Sequence, residues 1–88
     1  MKTPQIKLLR LAPVLLLTGT SRTTHYMQIQ SGLMCAPVVL GANSVAWPEY
    51  EIQTLLVARV AGKSDDEIKA LVTKLMTDRK TMGVEVAA

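Results

Sequence analysis

The stretch Thr18-Gly19-Thr20-Ser21 constrains the fold of this chain more than any other. A short apolar run, "APVLLL", precedes it, and "RTTHYMQIQ" follows before Ser31-Gly32. Pro13 suits a first helical turn, because the N–H it lacks would be unpartnered there anyway. Gly19 ends that helix, and Ser21 is a strong N-cap for a second helix over residues 22–30 that Ser31-Gly32 closes. Two short helices joined by a tight glycine turn form a helix-turn-helix.

The second helix is unusual in what it lacks. Arg22, Thr23, Thr24, His25, Tyr26 and Gln28 leave little apolar surface to bury, and no acid lies anywhere before Glu49. Lys2, Lys7, Arg10 and Arg22 stand in that acid-free half, whereas all seven acids follow it, so its formal charge is positive and suits a polyanion.

Downstream, "APVVLGANSVAW" (36–47) reads as a hairpin around a Gly-Ala-Asn-Ser break, with Trp47 as its core anchor. Pro48-Glu49 opens a third helix, for which Ile52, Leu55, Leu56 and Val60 are the expected buried stripe and Gly62 the stop. "SDDE" (64–67) is a capping box for a fourth helix, with Ile68, Leu71, Val72, Leu75 and Met76 at helical spacing and Arg79 and Lys80 at its far end. That stripe suits packing against the rest of the chain, or against a second copy.

The expected organisation is thus a loose tail over residues 1–6, a winged helix-turn-helix domain over 7–62, an amphipathic helix over 63–82 and a frayed end over 83–88. "KLLRL" (7–11) is a short strand or an extended lead-in. The fold class is mainly α with a small β-hairpin.

With 88 residues, one modest core is all the chain can build. The residues hold no Ser/His/Asp set, carboxylate pair or phosphate loop, so a non-catalytic protein without cofactor or metal is expected. Cys35 is a lone thiol expected to be semi-buried, and His25 a packing residue with its nitrogens satisfied. "MKTPQIKLLRLAPVLLLTG" imitates a secretory leader, but Lys7, Arg10 and Pro13 interrupt it and its apolar run is too short for a membrane span. A cytoplasmic, nucleoid-associated protein that touches no membrane is expected.

"LLRLAPVLLLTGTSRTTHYMQIQSG" followed by "APVVLGANSVAWPEYEI" resembles the AlpA-type phage and prophage regulators, MerR-like winged-helix DNA binders related to excisionases. The likeness spans about residues 8–52 and rests on Thr-Gly-x-Ser-Arg-x-Thr-x-Tyr, Pro-Val-x-Leu-Gly and Ser-Val-Ala-Trp in order. "ARVAGKSDDEIKALVTKL" resembles the tail of one proteobacterial branch. The resemblance implies a transcriptional regulator or recombination directionality factor whose partner is double-stranded DNA, with the second helix in the major groove and the hairpin as a wing on the backbone.

Carried over by position, Ser21, Arg22, Thr23, Thr24, Tyr26 and Gln28 belong to the reading helix, Lys7 and Arg10 to flanking phosphates, and Asn43 and Ser44 to the wing. Arg pairs with guanine, Gln with adenine, and Thr with bases or phosphates. Tyr26 suits a half-buried position equally. The chain departs from the family at Thr20, where Leu is usual, at His25 (an aliphatic), at Met27 (a basic residue), at Met34-Cys35 (Phe-Pro) and at Asn43 (Arg). These departures keep a second reading open: a protein-interaction module on a degenerate helix-turn-helix scaffold, whose C-terminal helix pairs with itself or with a phage or host protein. A weak homodimer, or on the first reading a DNA-dependent oligomer, through the C-terminal helix is a further expectation.

Overall fold

The computed structural model describes residues 6–87, with side chains as far as Met82. The elements run β1 (Leu8–Leu9), α1 (Leu11–Thr18), α2 (Arg22–Gln30), β2 (Val38–Gly41), β3 (Ser44–Pro48), α3 (Glu49–Val60) and α4 (Asp65–Ala87). This is a mainly helical, winged helix-turn-helix fold. Apart from Ile6, the tail expected over residues 1–6 lies outside the described residues.

The "KLLRL" segment resolves into a strand rather than a lead-in. β1 pairs antiparallel with β3, Leu8 opposite Pro48 and Leu9 opposite Trp47, and the Glu49 N–H donates to the Lys7 carbonyl at 2.7 Å. The sheet order β1-β3-β2 therefore makes the second hairpin strand the central one. Two residues, Ala42 and Asn43, form the hairpin turn, tighter than the four-residue break suggested, and the register shifts between Val39 and Gly41.

At the turn between α1 and α2, Gly19 takes φ 69°, and its N–H donates to Leu15 O at 2.9 Å. No atom crowds that position; what glycine provides is the left-handed backbone that a side chain would strain. α1 buries less of its apolar run than a core-forming helix should. Val14 is fully buried, but Leu16 is 84% exposed and Leu17 is exposed too, because a run of consecutive apolar residues necessarily covers every side of a helix.

The core gathers on Trp47. Its ring is completely buried with Val14, Ile52, Leu55 and Ile68, and its Nε1–H donates to the Cys35 carbonyl at 3.0 Å. Trp47 is thus the anchor expected, and Cys35 is fully rather than partly buried.

The stripe expected on α3 needs one correction. Ile52 and Leu55 are buried and Leu56 packs against the core, but Val60 is 89% exposed. At about 100° per residue, Val60 stands about 140° around the helix from Leu55, whereas Glu51 and Ala58 share Leu55's side and are buried in its place.

α4 begins with the capping box. Ser64 Oγ accepts from the Glu67 N–H at 3.2 Å, while Glu67 Oε1 accepts from the Ser64 N–H at 3.1 Å. The Ser64 N–H and hydroxyl, both donating to Glu67 Oε1, hold the Glu67 carboxyl below its usual range. Ile68, Val72 and Leu75 are buried inside the chain, with Leu71 and Met76 packed beside them, so the helix's apolar stripe faces its own core. The helix continues to Ala87 instead of ending at residue 82. No proline stops it, and Gly83 costs only about 1 kcal/mol in a helix interior. Among the described residues no helix is long and apolar enough to cross a membrane.

Candidate nucleic-acid interface

α2 is held at its start by Ser21, whose Oγ accepts from the Thr24 N–H at 3.1 Å and whose hydroxyl donates to Thr24 Oγ1 at 3.0 Å. One orphan donor of the first turn is thereby satisfied, and the rest point outward from the positive end of the helix dipole. Ser21, Arg22, Thr23 and Thr24 are all exposed there, next to one another. The Arg22 guanidinium lies 5.9 Å from the centre of the Tyr26 ring, a cation–π distance that settles its stem along the helix.

The opposite face of α2 is fastened to the sheet. His25 is fully buried and meets Trp47 edge-on at 4.8 Å between ring centres, and Tyr26, half-buried, meets Trp47 at 6.5 Å. Since Trp47 belongs to the central strand, the helix and the wing share a single aromatic anchor. His25 is therefore a packing residue but not a satisfied one: neither Nδ1 nor Nε2 has a partner among the described residues. Burial lowers its pKa from the ordinary 6.5.

The candidate residues separate when placed in space. Residues 22–28 are not exposed as a block, since His25 is inside and Gln28 is half-buried. Gln28 lines a cavity with Leu55 and Arg59, on the side toward α3. Successive 100° steps place Thr23, Met27 and Gln30 together on the open side, with Arg22 and Thr24 flanking them. Met27 (60% exposed) and Gln30 thereby join the candidate residues, and helical periodicity counted from a buried His25 points to both.

Of the outlying candidates, Lys7, exposed, places Nζ 3.7 Å from Oε2 of the half-buried Glu49, a solvated pair worth little in water. Arg10 occupies the N-cap of α1 and is exposed. Asn43 stands exposed at the wing tip, whereas Ser44 is half-buried opposite Gly41. Val39 and Leu40 are exposed on β2, so the wing's accessible surface is apolar rather than cationic.

A tight two-helix unit whose second helix is capped, acid-free and open on one side, with a hairpin fastened beside it, defines the winged helix-turn-helix regulators, a class that binds DNA. Within that class the chain belongs to the AlpA family: residues 7–60 match the family model described as prophage CP4-57 regulatory protein (AlpA). A relative from Enterobacteria phage P4, described as uncharacterized protein ORF88, is 37% identical over 59 residues, which is 67% of each chain. No solved structure matches the chain. α4 lies beyond the matched residues.

Proposed function

We propose that this chain is a non-catalytic, sequence-specific regulator of a prophage or related mobile element that acts on DNA in the cytoplasm. In this reading α2 lies in the major groove and the β2–β3 hairpin rests against the flanking backbone. The observation that carries it is the open face of α2, where Arg22, Thr23, Thr24, Met27 and Gln30 surround a capped helix start with no acid on the element. Recognition helices reach base edges from their N-terminal residues, and helix N–H groups donate to a phosphate. Transcriptional control and assistance of excision both follow from this one binding mode.

Three of the candidate residues, Lys7, Arg10 and Arg22, are cations, and together they contribute a salt slope of up to about −2.7 per bound protomer. The binding test is titration of labelled duplexes, selected from a random pool, at low salt. Arg22→Ala weakens the selected site by about 1–3 kcal/mol. Absence of binding by the unaltered protein overturns the proposal.

The interaction-module reading draws its remaining support from Leu16, Val57 and Val60, apolar side chains left open on α1 and α3. A tight dimer in sedimentation that is indifferent to DNA would favour it.

A further inference from the structure

Below the helix-turn-helix lies a cavity of about 190 Å³, open to one side, that none of the contacts described above fills. Its walls are of two kinds. Met34, Leu55 and Leu56 give an apolar floor, while Thr20, Gln28 and Arg59 stand around it with polar groups. We propose that this cavity binds a small monocarboxylic acid with a short apolar tail, its carboxylate held by Arg59 and Gln28.

The hydrogen-bond inventory favours an anionic head. The Thr18 hydroxyl donates to Val14 O at 3.0 Å, so in its 2.9 Å contact with Thr20 the proton comes from Thr20. Both hydroxyl protons are therefore engaged, and the free donors of the lining are the Gln28 amide and the Arg59 guanidinium. Arg59 faces Asp65 only at 3.9 Å, with both side chains well exposed, an attraction that water largely cancels. A guanidinium held this loosely, beside an unengaged amide, suits a carboxylate. The apolar floor gives the tail a place that an inorganic anion would leave vacant.

Size sets the length of that tail. About 150 Å³ is enough for a benzene-sized molecule in a protein cavity, so about 190 Å³ accommodates a straight acid of roughly six carbons. Gln28 belongs to α2, so an occupied cavity touches the proposed reading helix from behind. Binding itself needs no DNA and is measured without it, which keeps this inference separate from the proposed function.

The test is an amide chemical-shift titration of the full chain with sodium hexanoate, alongside 1-hexanol and inorganic phosphate. Hexanoate is expected to give saturable shifts at Thr18, Thr20, Gln28 and residues 55–59, with a Kd of about 1 mM or tighter. Hexanol and phosphate are expected to bind at least about tenfold more weakly, since each lacks one half of the match. Arg59→Gln, at an exposed position, should weaken hexanoate by about tenfold and leave hexanol unchanged. Thr20→Leu should fill the cavity and abolish the shifts of both. Failure to saturate, equal binding of hexanoate and hexanol, equal binding of phosphate, or hexanoate binding unaffected by Arg59→Gln would each overturn the assignment.

Discussion

Glu51 and Arg79, 28 residues apart, meet in a two-pronged ion pair at the seam between α3 and α4. Arg79 Nε donates to Glu51 Oε2 at 2.8 Å and Nη2 to Oε1, while Nη2 also donates to the Ala36 carbonyl at 2.8 Å. Glu51 is fully buried, and the Arg79 guanidinium is its ion-pair partner among the described residues. Arg79→Met strands the carboxylate, and the partial exposure of Arg79 places the expected loss at the lower end of the usual range, about 3 kcal/mol. Glu51→Leu combined with Arg79→Met recovers most of it, because neither charge then needs solvation inside the protein. Urea unfolding followed by the fluorescence of Trp47 separates the two variants; equal losses would contradict the account.

His25 ties stability to pH. Its folded pKa lies below the ordinary 6.5 because burial penalises the charged ring, so the unfolded chain takes up the proton first. Stability is complete above about pH 6.5 and declines as the pH falls from there toward the folded value, by up to about 1.4 kcal/mol per pH unit. His25→Leu should flatten this decline below about pH 6.5. It also removes two unpartnered nitrogens at the expense of an aromatic contact, so its stability at neutral pH should equal or exceed that of the parent. Thermal unfolding across that pH range reads both effects.

Cys35 should behave as an inert thiol. Burial, and then the negative charge of Glu51, push its pKa up to about 12. At pH 8 about one thiol in ten thousand would be ionised even with full access. Labelling by a disulfide reagent should therefore follow global unfolding and accelerate with urea in step with the loss of Trp47 burial. Rapid labelling of the folded protein would show that the segment between α2 and β2 opens by itself.

Met27 gives a gain-of-function test of the open face. Placing a cation there by Met27→Arg should add one phosphate contact, strengthen non-specific DNA binding and steepen the salt slope by about 0.9. Leu16→Arg, on α1 and also exposed, serves as the comparison. An equal gain from both would mean that net charge rather than position governs binding.

The features legible from sequence alone are those whose partners lie within one helical turn. Ser21 caps Thr24, Ser64 and Glu67 cap each other, and Gly19 supplies a left-handed residue; each is a local event with its own residue signature. What escaped depends on how elements rotate against one another. The exposure of Val60 and the half-buried setting of Gln28 are of this kind, because a short apolar or polar list does not fix a helix's roll. Arg79 read as a cation suited to a helix end, since Glu51, its partner, is far away in the sequence. The roll that opens one face of α2 is fixed by the contact of His25 with Trp47, on an element 22 residues further along the chain.

Two neighbouring carbonyls, those of Cys35 and Ala36, are gripped from different quarters, one by the indole of the central strand and the other by Arg79 from the last helix. The passage from α2 to the hairpin is therefore clamped at its midpoint, and the helix and the wing behave as the two jaws of a caliper with a locked hinge. An object held by both jaws has to match their fixed gap. On the proposed binding mode, a duplex whose own curvature fits that gap would be favoured over a stiffer one with identical base edges, and part of the selectivity would reside in how readily the duplex bends.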